Sequence, residues 1–225
     1  MSSTSTPSSL PAPPSTTTTP AAPTTATTSA APSPIVQAGA AVLRMRARDV
    51  TPAERASPEF AALVQRMVAA MRDAPGVGLA APQLGVPWRV FVVEDTTERM
   101  ARLTPAERAE RKRAPVPLRV FVNPVVTPVG ATTATFFEGC LSVAGYSALV
   151  TRHEVVDVTA LDEHGVPFSW RATGWPARIL QHEADHLDGT LYVDRMLSRS
   201  FGTTAQHAER FGGEPIAAIR AALGL

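Results

Sequence analysis

Residues 181–189 read QHEADHLDG, and within them His182, Glu183 and His186 form an H-E-x-x-H. Trp175 and Ile179 extend the same spacing of three to four residues, so both imidazoles project from the partly apolar face of one helix. Pro176 suits the first turn of that helix and Gly189 its stop. From the frequencies of His and Glu in this chain, chance would supply roughly 0.006 such motifs. Two imidazoles one turn apart on a buried face are costly unless their ring nitrogens are satisfied, and a divalent metal satisfies them. The sequence therefore predicts a metal-binding helix at the centre of the fold.

Further from this helix, the pattern predicts the rest of the domain. Ser57 caps a second helix with Pro58 at its first position and Glu59 in its first turn. Phe60, Leu63, Val64, Met67, Val68 and Met71 form its apolar stripe, and Pro75 and Gly76 end it. Strands are expected at WRVFVV (88–93), LRVFVN (118–123) and VVDVTAL (155–161), then a turn at 162–165 and a further run, VPFSW. The charged segment after the first strand is expected to be a solvated loop or short exposed helix, with its basic cluster at 111–113 facing water. A weak helix near 214–223 closes the chain. The sum is an α+β domain over residues 35–225, with short antiparallel strands packed around the central metal-binding helix, an N-terminal helix and a weak C-terminal helix.

Composition narrows the function classes. The chain has 225 residues, 21 basic and 20 acidic, for a formal charge of +1, which gives no general electrostatic reason to expect nucleic-acid or membrane-surface binding. Cys140 is the only cysteine, so no intramolecular disulfide forms. No run approaches 18 apolar residues, and a membrane-spanning helix is not expected. Residues 1–34 are almost entirely Ser, Thr, Pro and Ala without charge, a composition expected to stay disordered. They lack the basic start and apolar run of a signal peptide, and the first Arg is Arg44, so a bacterial cytoplasmic location is expected over an organellar one.

Two histidines leave a catalytic metal short of a ligand. His153, His164 and His207 have no ligand-like spacing, which leaves Cys140, in the Gly-containing loop EGCLS (138–142), as the better candidate. Glu183, between the two histidines, is then free to act as general base. The stretch GVGLAAPQLG (76–85) follows a helix instead of a strand, which disfavours a nucleotide loop. Its glycines permit close backbone approach, as in strand-like pairing with a peptide, and Gln83 is a neutral donor for a developing oxyanion.

Three motifs stand in order: Gly76-Val-Gly-Leu-Ala-Ala-Pro-Gln83, Glu138-Gly-Cys-Leu-Ser142 and Gln181-His-Glu-Ala-Asp-His186. Together with Arg152 and GWPARILQHEADHLDGTLYVDRM, the set resembles the peptide deformylase family over roughly residues 40–200. The resemblance implies metal ligands at Cys140, His182 and His186, with Glu183 as acid and base. It also implies Gln83 and the Leu141 N–H at the oxyanion, Val77 and Gly78 against the substrate backbone, and Phe136 and Trp175 as walls of a methionine pocket. Glu138 is expected to pair with Arg152. The implied activity is removal of the N-formyl group from formylmethionine. Zn²⁺ suits the ligand types, while the resemblance implies Fe²⁺ in the cell, with Ni²⁺ or Co²⁺ as active replacements. The implied partners are N-formyl-methionyl nascent peptides and a transient ribosome contact, although residues 202–225 are nearly neutral where some members carry a basic helix. Ala144-Gly-Tyr-Ser147 also departs from the Pro-Glu-Gln-Arg of many bacterial members. H-E-x-x-H alone equally suits a protease cutting internal bonds, but that reading leaves Cys140 and the G-x-G-x-A-A-x-Q stretch unexplained.

Overall fold

The computed structural model describes Met1 and residues 35–74, 76–101 and 103–225. The chain divides into two units, Met1–Pro32 and Ser33–Leu225, and the helices and strands of the described residues lie in the second. Apart from Met1, the tail expected at 1–34 lies outside the described residues. In chain order the elements are α1 (Pro52–Arg55), α2 (Pro58–Asp73), β1 (Gly78–Ala80), β2 (Val90–Asp95), α3 (Thr97–Met100), α4 (Pro105–Glu110), β3 (Val116–Pro128), β4 (Thr133–Cys140), β5 (Val143–His153), β6 (Val155–Leu161), β7 (Pro167–Thr173), α5 (Trp175–Leu187), β8 (Gly202–Thr203), α6 (Thr204–Phe211) and α7 (Ile216–Leu223). One sheet runs β1-β2-β3-β6-β7 and the other β4-β5-β8, with antiparallel pairing throughout.

The larger sheet is covered on both faces because alternate side chains of its strands point oppositely. Val90 and Val92 of β2 join Phe60, Leu63, Met67 and Met71 of α2 in one core. Phe91 and Val93 turn the other way, toward Ala177, Ile179, Leu180 and Leu187 of α5. The α2 helix forms as the sequence predicts, with Ser57 Oγ accepting the Phe60 N–H at 3.2 Å. The expected α+β architecture around the motif helix is present, though β3 with 13 residues and β5 with 11 are longer than the short strands expected.

Two local expectations are corrected. Cys140 sits at the end of a strand, not in a loop: β4 and β5 form a hairpin whose register slips between Gly139↔Ser147 and Cys140↔Val143. The charged segment takes the short-helix form that was one of its two expected states, as α3 and α4, each capped by a threonine, Thr96 and Thr104. Its basic cluster does not simply face water: Arg113 pairs with the fully buried Asp95, the Arg111 guanidinium lies 5.3 Å from the centre of the Trp175 ring, and Lys112 pairs with Glu154. The C-terminal end holds α6 as well as the expected weak helix, and His207 on α6 is bonded to Ser147 at 2.7 Å.

Candidate metal centre

The end of β4 supplies Cys140 and one face of α5 supplies His182 and His186. The potential ligand atoms of these three residues lie within 4.8 Å of one another. Cys140 Sγ is 3.3 Å from His186 Nε2, and the two imidazole rings are 5.1 Å apart. His182 Nδ1 is engaged by Glu138 Oε2 at 3.0 Å, which leaves Nε2 to the side of Cys140. A thiol and two imidazoles, one oriented by a carboxylate, suit a divalent metal with a position left for water. The two histidines differ electrostatically. Burial disfavours charge on His182, yet hydrogen bonds with Cys140 and Glu138 outweigh it and hold its pKa well above the usual imidazole value. His186, by contrast, is held well below the usual value, first by burial and then by its neighbour's charge.

Glu138 is the hub of the surrounding network. Its carboxylate accepts from Arg152 Nε (3.0 Å) and Nη2 (2.9 Å), from Arg178 Nη1 (2.6 Å) and from His182 Nδ1 (3.0 Å). Burial opposes ionisation of Glu138, but these donors hold its carboxyl well below the usual range. Arg152 reaches on to Asp185 at 2.5 Å, and Asp185 also accepts both Arg195 contacts. The expected Glu138–Arg152 pair is present. Arg178 and Asp185 are additions that sequence reasoning missed, because their partners lie on other elements.

Glu183 is 4% exposed, and its Oε2 is buried with no hydrogen-bond partner among the described residues. Burial pushes its pKa up to about 7, against the opposing charge of His182. Gln83 Oε1 accepts the Ala80 N–H at 2.9 Å, which turns Nε2 toward Cys140 Sγ (3.6 Å) and Ser142 Oγ (3.3 Å). Gln37, which the sequence did not single out, braces the tip of the hairpin by donating to the Leu141 carbonyl at 3.0 Å.

These groups open into a cleft of about 420 Å³, lined by Val77, Gly78, Gln83, Glu138, Cys140, Leu141, Trp175, His182 and Glu183 among others. Phe136 is corrected: it does not line the cleft but lies behind Trp175, ring to ring at 6.1 Å. Phe137 and Ile179 line it instead.

A model of the family described as polypeptide deformylase matches residues 32–201. The chain is 49% identical over 169 residues to the chloroplastic peptide deformylase 1A of Solanum lycopersicum, covering 75% of this chain and 61% of that protein. It is 51% identical over 176 residues to peptide deformylase 1 of Streptomyces coelicolor, covering 78% of each. Among solved structures it resembles the Met-Ala-Ser-bound class I type b peptide deformylase of Acinetobacter baumannii, with a TM-score of 0.64 and 33% identity, over 72% of this chain and 96% of that one. The chain thus spans less than two thirds of the tomato protein's length. Chloroplastic, mitochondrial and bacterial proteins all occur among its relatives.

Proposed function

The chain belongs to the polypeptide deformylase family, and we propose that it is a metal-dependent hydrolase that removes the formyl group from the N-terminal formylmethionine of new polypeptides, releasing formate. The observation that carries this reading is the Cys140, His182 and His186 donor set with the buried, unpartnered Glu183 carboxylate in the same cleft. A divalent cation held by those three residues would supply a water of lowered pKa and a Lewis-acid partner for the formyl oxygen. Glu183 takes the proton from the attacking water and returns it to the leaving amine nitrogen. A carboxyl with a pKa of about 7 is suited to both transfers. Gln83 Nε2, aimed by the Ala80 bond, and the Leu141 N–H donate to the carbonyl oxygen as it becomes negative.

Val77 and Gly78 present backbone to the peptide, and Trp175, Phe137 and Ile179 enclose the methionine side chain, with Phe136 supporting Trp175 from behind. The Met-Ala-Ser peptide in the Acinetobacter structure fits a substrate that begins with methionine. Fe²⁺ is the assigned cellular metal, with Zn²⁺, Ni²⁺ or Co²⁺ as alternatives of compatible ligand chemistry. The bacterial cytoplasm, where chains begin with formylmethionine, is the assigned location. No helix of the described residues is long and apolar enough to cross a membrane.

The test is formate release from an N-formyl-methionyl tripeptide by protein prepared without oxygen and reconstituted with Fe²⁺ or Ni²⁺. Release that depends on added metal and disappears in Cys140→Ala is expected. Internal cleavage of an unformylated peptide would point to a protease instead. Metal uptake without turnover in any metal form would reduce the protein to a binding module.

A further inference from the structure

Arg178 borders the cleft but is almost fully buried, and its terminal nitrogens are committed on several sides. Nη1 donates to Glu138 Oε1 at 2.6 Å and to the Val150 carbonyl at 2.9 Å, and Nη2 donates to the Ala134 carbonyl at 2.6 Å. Its acceptors lie on β4 (Ala134, Glu138) and β5 (Val150), while Arg178 itself lies on α5, one turn before His182. The three metal donors are split in the same way, with Cys140 on β4 and both histidines on α5. Arg178 therefore joins the hairpin that carries one donor to the helix that carries the other two.

The Glu138 carboxylate has about four lone-pair sites, and all four are used: two by Arg152, one by His182 and one by Arg178. Among the described residues, the Arg152 guanidinium is otherwise bonded to another side chain, Asp185, so Arg152 ties Glu138 to no backbone group. Arg178 differs in being bonded to the backbone of both strands. We infer that Arg178 is a positioning residue of the metal centre: it fixes the Glu138 carboxylate against the β4–β5 hairpin and thereby sets the ring orientation and tautomer of His182. A carboxylate that engages one nitrogen of an imidazole decides which nitrogen is free for a metal, and losing such a partner weakens metal binding by about 10–100-fold. The role of Arg178 rests on Cys140, His182 and His186 being the metal ligands of the proposed hydrolase.

The test is the affinity for Co²⁺, measured by competition with a chelator, together with the visible spectrum of the Co²⁺ form. The proteins compared are the wild type, Arg178→Met, Arg178→Lys, Glu138→Gln and the Glu138→Gln/Arg178→Met double variant. Arg178→Met is expected to bind about 10–100-fold more weakly with an altered spectrum. Arg178→Lys should be intermediate, since an ammonium cannot serve the carboxylate and both carbonyls in the fixed fork of a guanidinium. The double variant should bind no more weakly than Glu138→Gln alone, because the effect of Arg178 runs through Glu138. A merely structural arginine would lower the melting temperature of the metal-free protein and leave affinity and spectrum unchanged, and that result overturns the inference. If Arg178→Met does not fold, an Arg178→Lys protein with wild-type affinity overturns it equally. Failure of the wild type to bind Co²⁺ would instead remove the metal centre itself.

Discussion

The Glu183 side chain occupies the space in which a Cβ of residue 78 would stand: an alanine methyl at Gly78 would lie 2.8 Å from Glu183 Cγ and 2.6 Å from its Cδ. Because a side chain and not the turn dictates this glycine, Gly78→Ala should leave the fold intact and push the carboxylate out of position. A displacement of about 1 Å in a catalytic group can reduce rate by roughly a hundredfold. The expected outcome is a loss of that order in kcat/KM for a formyl-methionyl peptide, with one bound metal per chain retained. Wild-type turnover in this variant would mean that the position of Glu183 is not critical.

Removal of the carboxylate itself separates proton transfer from metal binding. Glu183→Ala is expected to keep its metal and to lose at least about a hundredfold in rate, the usual contribution of a positioned acid and base. Glu183→Gln should be as slow but no less stable than the wild type, because burial already drives this carboxyl toward its neutral form. Near-normal formate release from either variant would take Glu183 out of the mechanism.

Much of this was legible in the sequence where the deciding interactions are local. The α2 boundaries follow from Ser57, Pro58 and a stripe at helical spacing, and α5 from Pro176 and the recurrence that ends at His186. The β4–β5 hairpin was not legible, because TATFFEGC of β4 shows no clean alternation of apolar and polar residues, its buried positions including Glu138. Arg111, Lys112 and Arg113 read as a solvated cluster because the sequence around them is itself charged. Their partners Trp175, Glu154 and Asp95 are brought in only by the tertiary fold. Phe136 was expected in the cleft wall because nothing local in sequence places its ring against that of Trp175.

The metal should stabilise the protein as well as activate it, since its donors come from two separate elements that a bound ion would hold together. At a concentration a hundred times Kd, a ligand specific to the folded state contributes about 2.7 kcal/mol. For a domain of this size that amounts to roughly 5–10 °C in melting temperature. Chelation should lower the Tm by about that amount and readdition of Ni²⁺ should restore it, while the Tm of Cys140→Ala should respond little to either. Equal responses of the wild type and Cys140→Ala would exclude Cys140 as a ligand.

Arg113 and Asp95 give a test outside the chemistry. Arg113 Nε and Nη2 donate to the two oxygens of Asp95 at 2.7 and 3.0 Å, and the Asp95 side chain has no exposure. Breaking such a pair by removing one member leaves a buried charge and destabilises by about 3–5 kcal/mol, whereas removing both is often close to neutral. Arg113→Leu should therefore lower the unfolding free energy by an amount in that range, and Asp95→Leu/Arg113→Leu should recover most of it in denaturant titrations. The same guanidinium lies 5.3 Å from the centre of the Trp175 ring, which walls the cleft. Loosening that support should raise KM for formyl-methionyl peptides and leave kcat little changed, the pattern of lost uniform binding. A stability change below about 1 kcal/mol in Arg113→Leu would mean that the 111–113 cluster faces water after all, as its local sequence suggests.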